Sequence, residues 1–218
     1  MRKVLISVEG QTEETFVRDV LSQHLGGLCL YPVIVKTRRT PGGSYRGGHV
    51  PYGRIRKELL NLLGDSSAAA VTTMYDLYAL PEDFPGYAGA QQATGLARAR
   101  YLEQSLADDI GQRRFCPHLQ VHEFEALLFS DIERTCALLG GDAIRLAELA
   151  AIKKAFPSPE EIDDCAETAP ARRIERLFPS YQKVLDGSRI VQRIGLERLR
   201  KECSHFDEWV TWLESMTS

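Results

Sequence analysis

Val4-Leu5-Ile6-Ser7-Val8-Glu9-Gly10-Gln11-Thr12 opens the chain with a short apolar run, an acid and a turn. Residues 4 to 8 are rich in β-branched side chains and nearly free of polar ones. That is the pattern of a strand buried on both faces of a parallel sheet. Glu9 to Thr12 predicts a turn with Thr12 as N-cap. Phe16, Val17, Val20, Leu21 and Leu25 then fall on one helical stripe. Strand, turn and helix in this order predict an α/β domain.

Working outward, residues 29–35 predict a second strand. The segment from Lys36 to Pro51 carries Gly42-Gly43, Gly47-Gly48, Arg38, Arg39, Arg46 and His49, and reads as a long loop of the functional kind. Ile55, Leu59, Leu60 and Leu63 give a buried face to a helix over 53–63, and residues 69–75 predict a third strand running into Asp76. A helix is expected over 89–110. A fourth strand is expected over 115–121, placed at an edge by Pro117, which has no N–H to donate. After His122 only helices are expected, punctuated by Gly140-Gly141, Pro157, Pro159, Pro170 and Pro179. The chain therefore divides into an α/β domain over 1–130, a parallel-rich sheet flanked by helices, and a helical C-terminal extension over 131–218 packed on it.

The 218 residues are 44% hydrophobic and 26% charged, which excludes a disordered chain. A formal charge of -3 means that any nucleic-acid surface must be local. No apolar run reaches the roughly 18 residues of a membrane span, and the run after Met1-Arg2-Lys3 is too short for a signal peptide. The cysteines at 29, 116, 136, 165 and 203 form no Cys-x-x-Cys pair, so reduced thiols and a cytoplasmic location are expected.

Glu9 follows the first strand and Asp76 the third. Ligands of open α/β sheets bind beyond the carboxyl ends of the strands, so both acids are expected to face one crevice. Two hard oxygen donors suit Mg²⁺ (or Mn²⁺), which can neutralise a phosphodiester and activate water. Either acid alone could merely end a strand or cap a helix; the pair at equivalent strand ends favours a site. In His122-Glu123-Phe124-Glu125, a helix would put His122 and Glu125 on one face. Glu123 or Glu125 would then add a metal ligand, or His122 would shuttle a proton; the competing reading is a buried polar anchor. No second histidine completes His-Glu-x-x-His, which argues against a zinc protease. Glu13 and Glu14 lie in a first helical turn, where acids favour the helix dipole without any ligand.

Val8-Glu9-Gly10-Gln11-Thr12-Glu13, an apolar strand ending in Glu-Gly, resembles the opening motif of the Toprim domain of topoisomerases, bacterial primases, small ribonucleases and overcoming-lysogenization-defect-type nucleases. The usual second Toprim motif, Asp-x-Asp, stands here as Asp76-Leu77-Tyr78, with Tyr78 in the place of the second acid; Asp83 is a substitute from the following loop. The chain more closely resembles an uncharacterised bacterial Toprim-like family. The likeness rests on the Glu-Gly-x-Thr-Glu opening, Asp76 to Gly86, His122 to Asp131, Arg173-Ile174-Glu175, Ile194-Gly195-Leu196 and Phe206 to Trp209. The residues and the resemblance together give a candidate metal set of Glu9, Asp76, Asp83 and Glu125: Glu9 binds metal or acts as general base, Asp76 binds metal, and Asp83 or Glu125 completes the site. Glu9 and Asp76 are the expected catalytic pair, with Glu13, His122 and Glu123 in support. The resemblance also implies pairing with an ATPase partner in phage defence.

Residues 170 to 202 hold nine basic residues against four acids, a local charge of +5. Arg172, Arg173 and Lys183, with Arg38 and Arg46, are the expected phosphate contacts; solvated helix faces would use the same residues. Ser204 and Asp207 predict a capped last helix that buries Phe206, Trp209, Val210 and Leu213. Two functions remain: a Mg²⁺-dependent, nuclease-like Toprim protein acting on nucleic-acid phosphodiesters, or a catalytically degenerate module that binds an ATPase. A phosphatase of the haloacid dehalogenase type would need aspartate where Glu9 stands.

Overall fold

The computed structural model describes residues 1–35, 50–162 and 167–217. The expected loop contacts Arg38 and Arg46, and Cys165, lie outside the described residues. The chain begins with β1 (Arg2–Val8), α1 (Gln11–Phe16), a π-helical continuation (Val17–Leu21), the short α2 (Ser22–His24) and β2 (Leu28–Ile34). Then come α3 (Tyr52–Leu63), β3 (Ala68–Asp76), α4 (Gly95–Ile110), β4 (Phe115–Cys116) and β5 (Leu119–Gln120). The remainder is helical: α5 (Ile132–Leu138), α6 (Ala143–Lys154), α7 (Pro170–Leu177), α8 (Ser188–Ile194), α9 (Leu196–Glu202) and α10 (Ser204–Ser215).

The five strands are parallel, in the order β2-β1-β3-β4, with β5 also paired to β3. β1 is buried from Val4 to Val8, as its unbroken apolar run demands. Successive side chains of a strand point to opposite faces, and the core divides accordingly. Val4, Ile6, Val8 and Met74 pack with Phe16, Leu21, Ile174, Ile190, Phe206 and Val210. Leu5, Val71 and Tyr75 pack with Leu59 of α3 and Leu102 and Leu106 of α4. The first cluster joins the opening strand directly to the C-terminal helices.

Several local expectations need correction. The fourth strand is two short pieces, because Pro117 cannot donate to the ladder. Thr73 spans the gap instead: its Oγ1 accepts from the His118 N–H at 3.0 Å and donates to the His118 carbonyl at 2.8 Å. The helix expected over 89–110 is a 3-10 turn (Gly89–Gln92) and then α4. Gly10, not Thr12, is the N-cap of α1, and Thr12 is buried one residue inside the helix. The start of α10 is capped by neither Ser204 nor Asp207. Glu160, from a distant turn, accepts the N–H groups of His205 and Phe206 at 3.0 and 2.9 Å, while Asp207 pairs with Arg200. The expected stripe of Phe206, Trp209, Val210 and Leu213 is buried.

Candidate functional site

Glu9 leaves β1 and Asp76 ends β3, and since β1 and β3 are neighbours the two acids meet. The Asp76 N–H donates to Glu9 Oε2 at 3.2 Å. The sharp turn into α1 brings a third acid. Glu13 Oε2 accepts the Gly10 N–H at 2.9 Å, which folds its side chain back toward the strand ends and buries it. This position is more than the favourable first-turn charge that the sequence suggests.

The next acids come from the 122–125 segment, which is not an α-helix. His122 is buried with φ 63°, the left-handed region, and is followed by a 3-10 helix (Phe124–Asp131). His122 and Glu125 therefore share no helical face. Such a backbone conformation persists only where its surroundings hold it. Here the His122 carbonyl accepts the Tyr78 N–H at 3.1 Å, and the Phe124 N–H donates to Asp76 Oδ1 at 2.9 Å. The reversal turns Glu125 inward, fully buried. Glu123, half-buried, accepts the Ala171 N–H at 3.0 Å at the start of α7.

Lys183 completes the group. It opens a π-helical turn (Lys183–Gly187) held against α1 by a glycine. A Cβ on Gly187 would lie 3.1 Å from Tyr181 Oη and 3.4 Å from Thr12 Cγ2. Lys183 Nζ is 3.2 Å from Asp76 Oδ2 and 3.1 Å from Glu125 Oε2, and Tyr181 Oη donates to Glu125 Oε1 at 3.1 Å. Lys183 thus faces the acids, not a free phosphate-binding surface.

The electrostatics follow from this crowding. The protein packed around the carboxyl, then the Asp76 and Glu13 charges, push Glu9 up to about 8, although Glu9 as a residue is exposed to solvent. Burial and Asp76 push Glu13 up to about 7 against the pull of Lys183. Glu125 and Glu123 are raised as well, burial being the main cause in each. Burial disfavours the Lys183 ammonium, but Asp76, Glu125 and Glu13 outweigh it and hold the group firmly charged. Among the described residues, the Lys183 ammonium acts on Glu9, Glu13, Glu123 and Glu125 and pairs with Asp76, and Arg172 also acts on Glu123. A cluster short of positive charge, made of hard oxygen donors, fits a divalent cation of the Mg²⁺ or Mn²⁺ kind.

The other expected residues lie as follows. Both oxygens of exposed Asp83 accept the Tyr52 N–H, at 3.0 and 3.1 Å, so Asp83 caps α3. Arg172 pairs with Glu175 at 2.8 Å, and Arg173 lies over the Phe156 ring and donates to the Thr168 carbonyl. Much of the +5 segment is neutralised locally: Arg189 meets Asp186, Arg198 meets Glu202, and Arg200 meets Asp207 and Glu214.

Sequence reasoning missed Glu103, His118 and His205, whose ligand atoms lie within 4.8 Å of one another. The signal was weak because the three are scattered along the chain. Their geometry is that of packing. His118 stacks on Trp209 at 4.5 Å and 8°, and on His205 at 5.0 Å and 30°. Imidazole lone pairs lie in the ring plane, so two rings face to face do not aim them at one ion. Glu103 Oε1 is also taken by His205 Nε2 at 2.8 Å and the Leu119 N–H at 2.7 Å. Burial and the adjacent His205 push His118 far below the usual histidine value, which keeps it neutral.

A family model for a domain of unknown function, DUF4276, matches residues 8–214, from the end of β1 to the last turns of α10. The chain belongs to the DUF4276 family. The match takes in Glu9, Glu13, Asp76, Glu123, Glu125 and Lys183 together, so the whole acid cluster is contained in the DUF4276 unit. No curated protein and no solved structure matches the chain. Among the described residues, no helix is long and apolar enough to cross a membrane, and Cys29, Cys116, Cys136 and Cys203 are free thiols.

Proposed function

We propose that this DUF4276 protein is a Toprim-like, divalent-metal-dependent nuclease acting on nucleic-acid phosphodiesters. The carrying observation is the convergence of Glu9, Glu13, Asp76 and Glu125 beyond the carboxyl ends of β1 and β3 around the Lys183 ammonium. Glu9, Asp76 and Glu125 would hold the ion, which supplies charge neutralisation at the phosphodiester and a more acidic water. Glu9 is the member with an exposed edge, which suits it to take the proton of an attacking water. Asp76 is held from behind by the Phe124 N–H, which keeps its orientation fixed. Exposed Arg172, at the rim beside Glu123, is suited to meet a phosphate. A cytoplasmic setting and an ATPase partner in phage defence belong to the same reading. The test is cleavage of labelled DNA and RNA with Mg²⁺ or Mn²⁺ by the wild type, Glu9→Gln and Asp76→Asn. Loss in both variants with unchanged circular dichroism is expected; undiminished cleavage in both would sink the reading.

One observation favours a second reading, a degenerate module that binds an ATPase partner. Tyr78 stands where the Toprim pattern has a second acid, and it is exposed, while Lys183 already neutralises part of the cluster. Failure of the purified protein to bind Mn²⁺ at millimolar concentration supports this reading over the first.

A further inference from the structure

The oxygens of Asp76 and Glu125 are divided in the same way. One oxygen of each is held from behind: Asp76 Oδ1 by the Phe124 N–H, Glu125 Oε1 by the Tyr181 hydroxyl. The other oxygen of each faces the same atom, Lys183 Nζ, at 3.2 and 3.1 Å. Asp76 is 3% exposed and Glu125 not at all, so neither acid can turn toward water without breaking its rear contact. The lysine differs. Its side chain is 40% exposed, its stem is flexible, and it can withdraw to solvent without disturbing the core.

A divalent ion seeking hard oxygens at this site has the same two atoms to use. An ammonium and a dication a few ångströms apart repel each other strongly even at an effective dielectric of ~20, so the two do not share them. The structure therefore already seats a cation on the oxygens of interest, tethered to the chain and present at a high effective concentration.

We propose that Lys183 is a tethered stand-in for the metal, holding the inner oxygens of Asp76 and Glu125, and that a divalent ion enters only as Lys183 swings out. This rests on the reading of the cluster as a metal site. It adds that metal binding and the inward position of Lys183 exclude one another. The site stays closed, and its acids stay in register, until metal concentration is high enough to displace the side chain.

Two measurements on the full chain test it. Mn²⁺ binding is followed by electron paramagnetic resonance in the wild type and Lys183→Met, and the affinity of the variant should rise by on the order of tenfold or more. Independently, wild-type protein is acylated with a water-soluble amine-reactive ester, with and without Mn²⁺, and the Lys183 peptide is quantified by mass spectrometry. Modification of Lys183 should rise several-fold with metal, while that of Lys57, on an exposed face of α3, stays constant. Tighter binding in the variant with no metal-dependent change at Lys183 overturns the proposal, since simple removal of a nearby charge would then explain the gain. Equal affinities overturn it as well. If neither protein binds Mn²⁺, the metal site itself fails and this inference falls with it. The acylation arm uses unmodified protein, so it decides even if Lys183→Met folds poorly.

Discussion

The main-chain N–H of Asp76 donates to the carboxylate of Glu9 at 3.2 Å, so the last residue of one central strand is fastened to the first residue beyond its neighbour. The contact uses an oxygen that glutamine also has. Glu9→Gln should therefore keep the link and remove a charge that is crowded by Asp76 and Glu13. We expect its melting temperature to match or exceed the wild type in metal-free buffer, with Mn²⁺ affinity reduced at least tenfold. Calorimetry and a binding titration on the same preparation check both halves.

Stability of the metal-free protein should fall with rising pH. Glu9 and Glu13 are raised to about 8 and about 7, above the usual carboxyl value that they regain on unfolding. A raised acid binds more protons folded than unfolded, so its contribution is fully present below about pH 4.5 and is lost as pH rises through 7 and 8. Denaturant titrations at pH 6 and pH 9 should show the loss, and Glu9→Gln should flatten the slope. A wild-type curve that rises over this interval would contradict the cluster.

The raised Glu9 makes metal binding a proton-releasing event. With its carboxyl raised to about 8, Glu9 should hold a proton at pH 7 in the metal-free chain, and a carboxyl must give up its proton to ligate. Titration calorimetry in buffers of different ionisation enthalpy should give observed enthalpies that vary linearly with buffer, corresponding to release of about one proton. At pH 9 the dependence should nearly vanish.

Away from the site, Glu160 accepts two main-chain N–H groups at the head of α10. Glu160→Ala strands both donors in a buried position and should cost about 1–3 kcal/mol, read from urea midpoints. Phe206→Ala removes a fully buried ring shared by the sheet face and the C-terminal helices, at a cost of about 3–5 kcal/mol. Because that core is common, fluorescence and far-UV signals should report one transition in both variants.

The α/β class could be read from Val4 to Val8 because burial on both faces leaves no polar alternation, and that signal is local. The site was partly legible for the same reason: Glu9 and Asp76 each follow a strand in sequence. Glu13 was undervalued, since its return to the Gly10 N–H depends on the turn and not on residue type. The 122–125 segment misled because its spacing fits a helix, whereas the left-handed His122 is fixed by contacts to Tyr78 and Asp76 from another part of the chain. Lys183 looked like one more cation in a basic segment. Nothing near it in sequence reveals that α8 and its preceding turn pack against α1. Glu103, His118 and His205 are joined only by tertiary stacking, which no spacing encodes.

Lys183 follows the acids it serves by at least 58 positions in the chain. During synthesis from the N-terminus, all five carboxylates leave the ribosome before the lysine has been made. Until then the ammonium that pairs with Asp76 and Glu125 is absent, and the strand ends that carry the acids have reason to stay apart. Closure of this corner should therefore await residue 183, the last of these charged groups to be made.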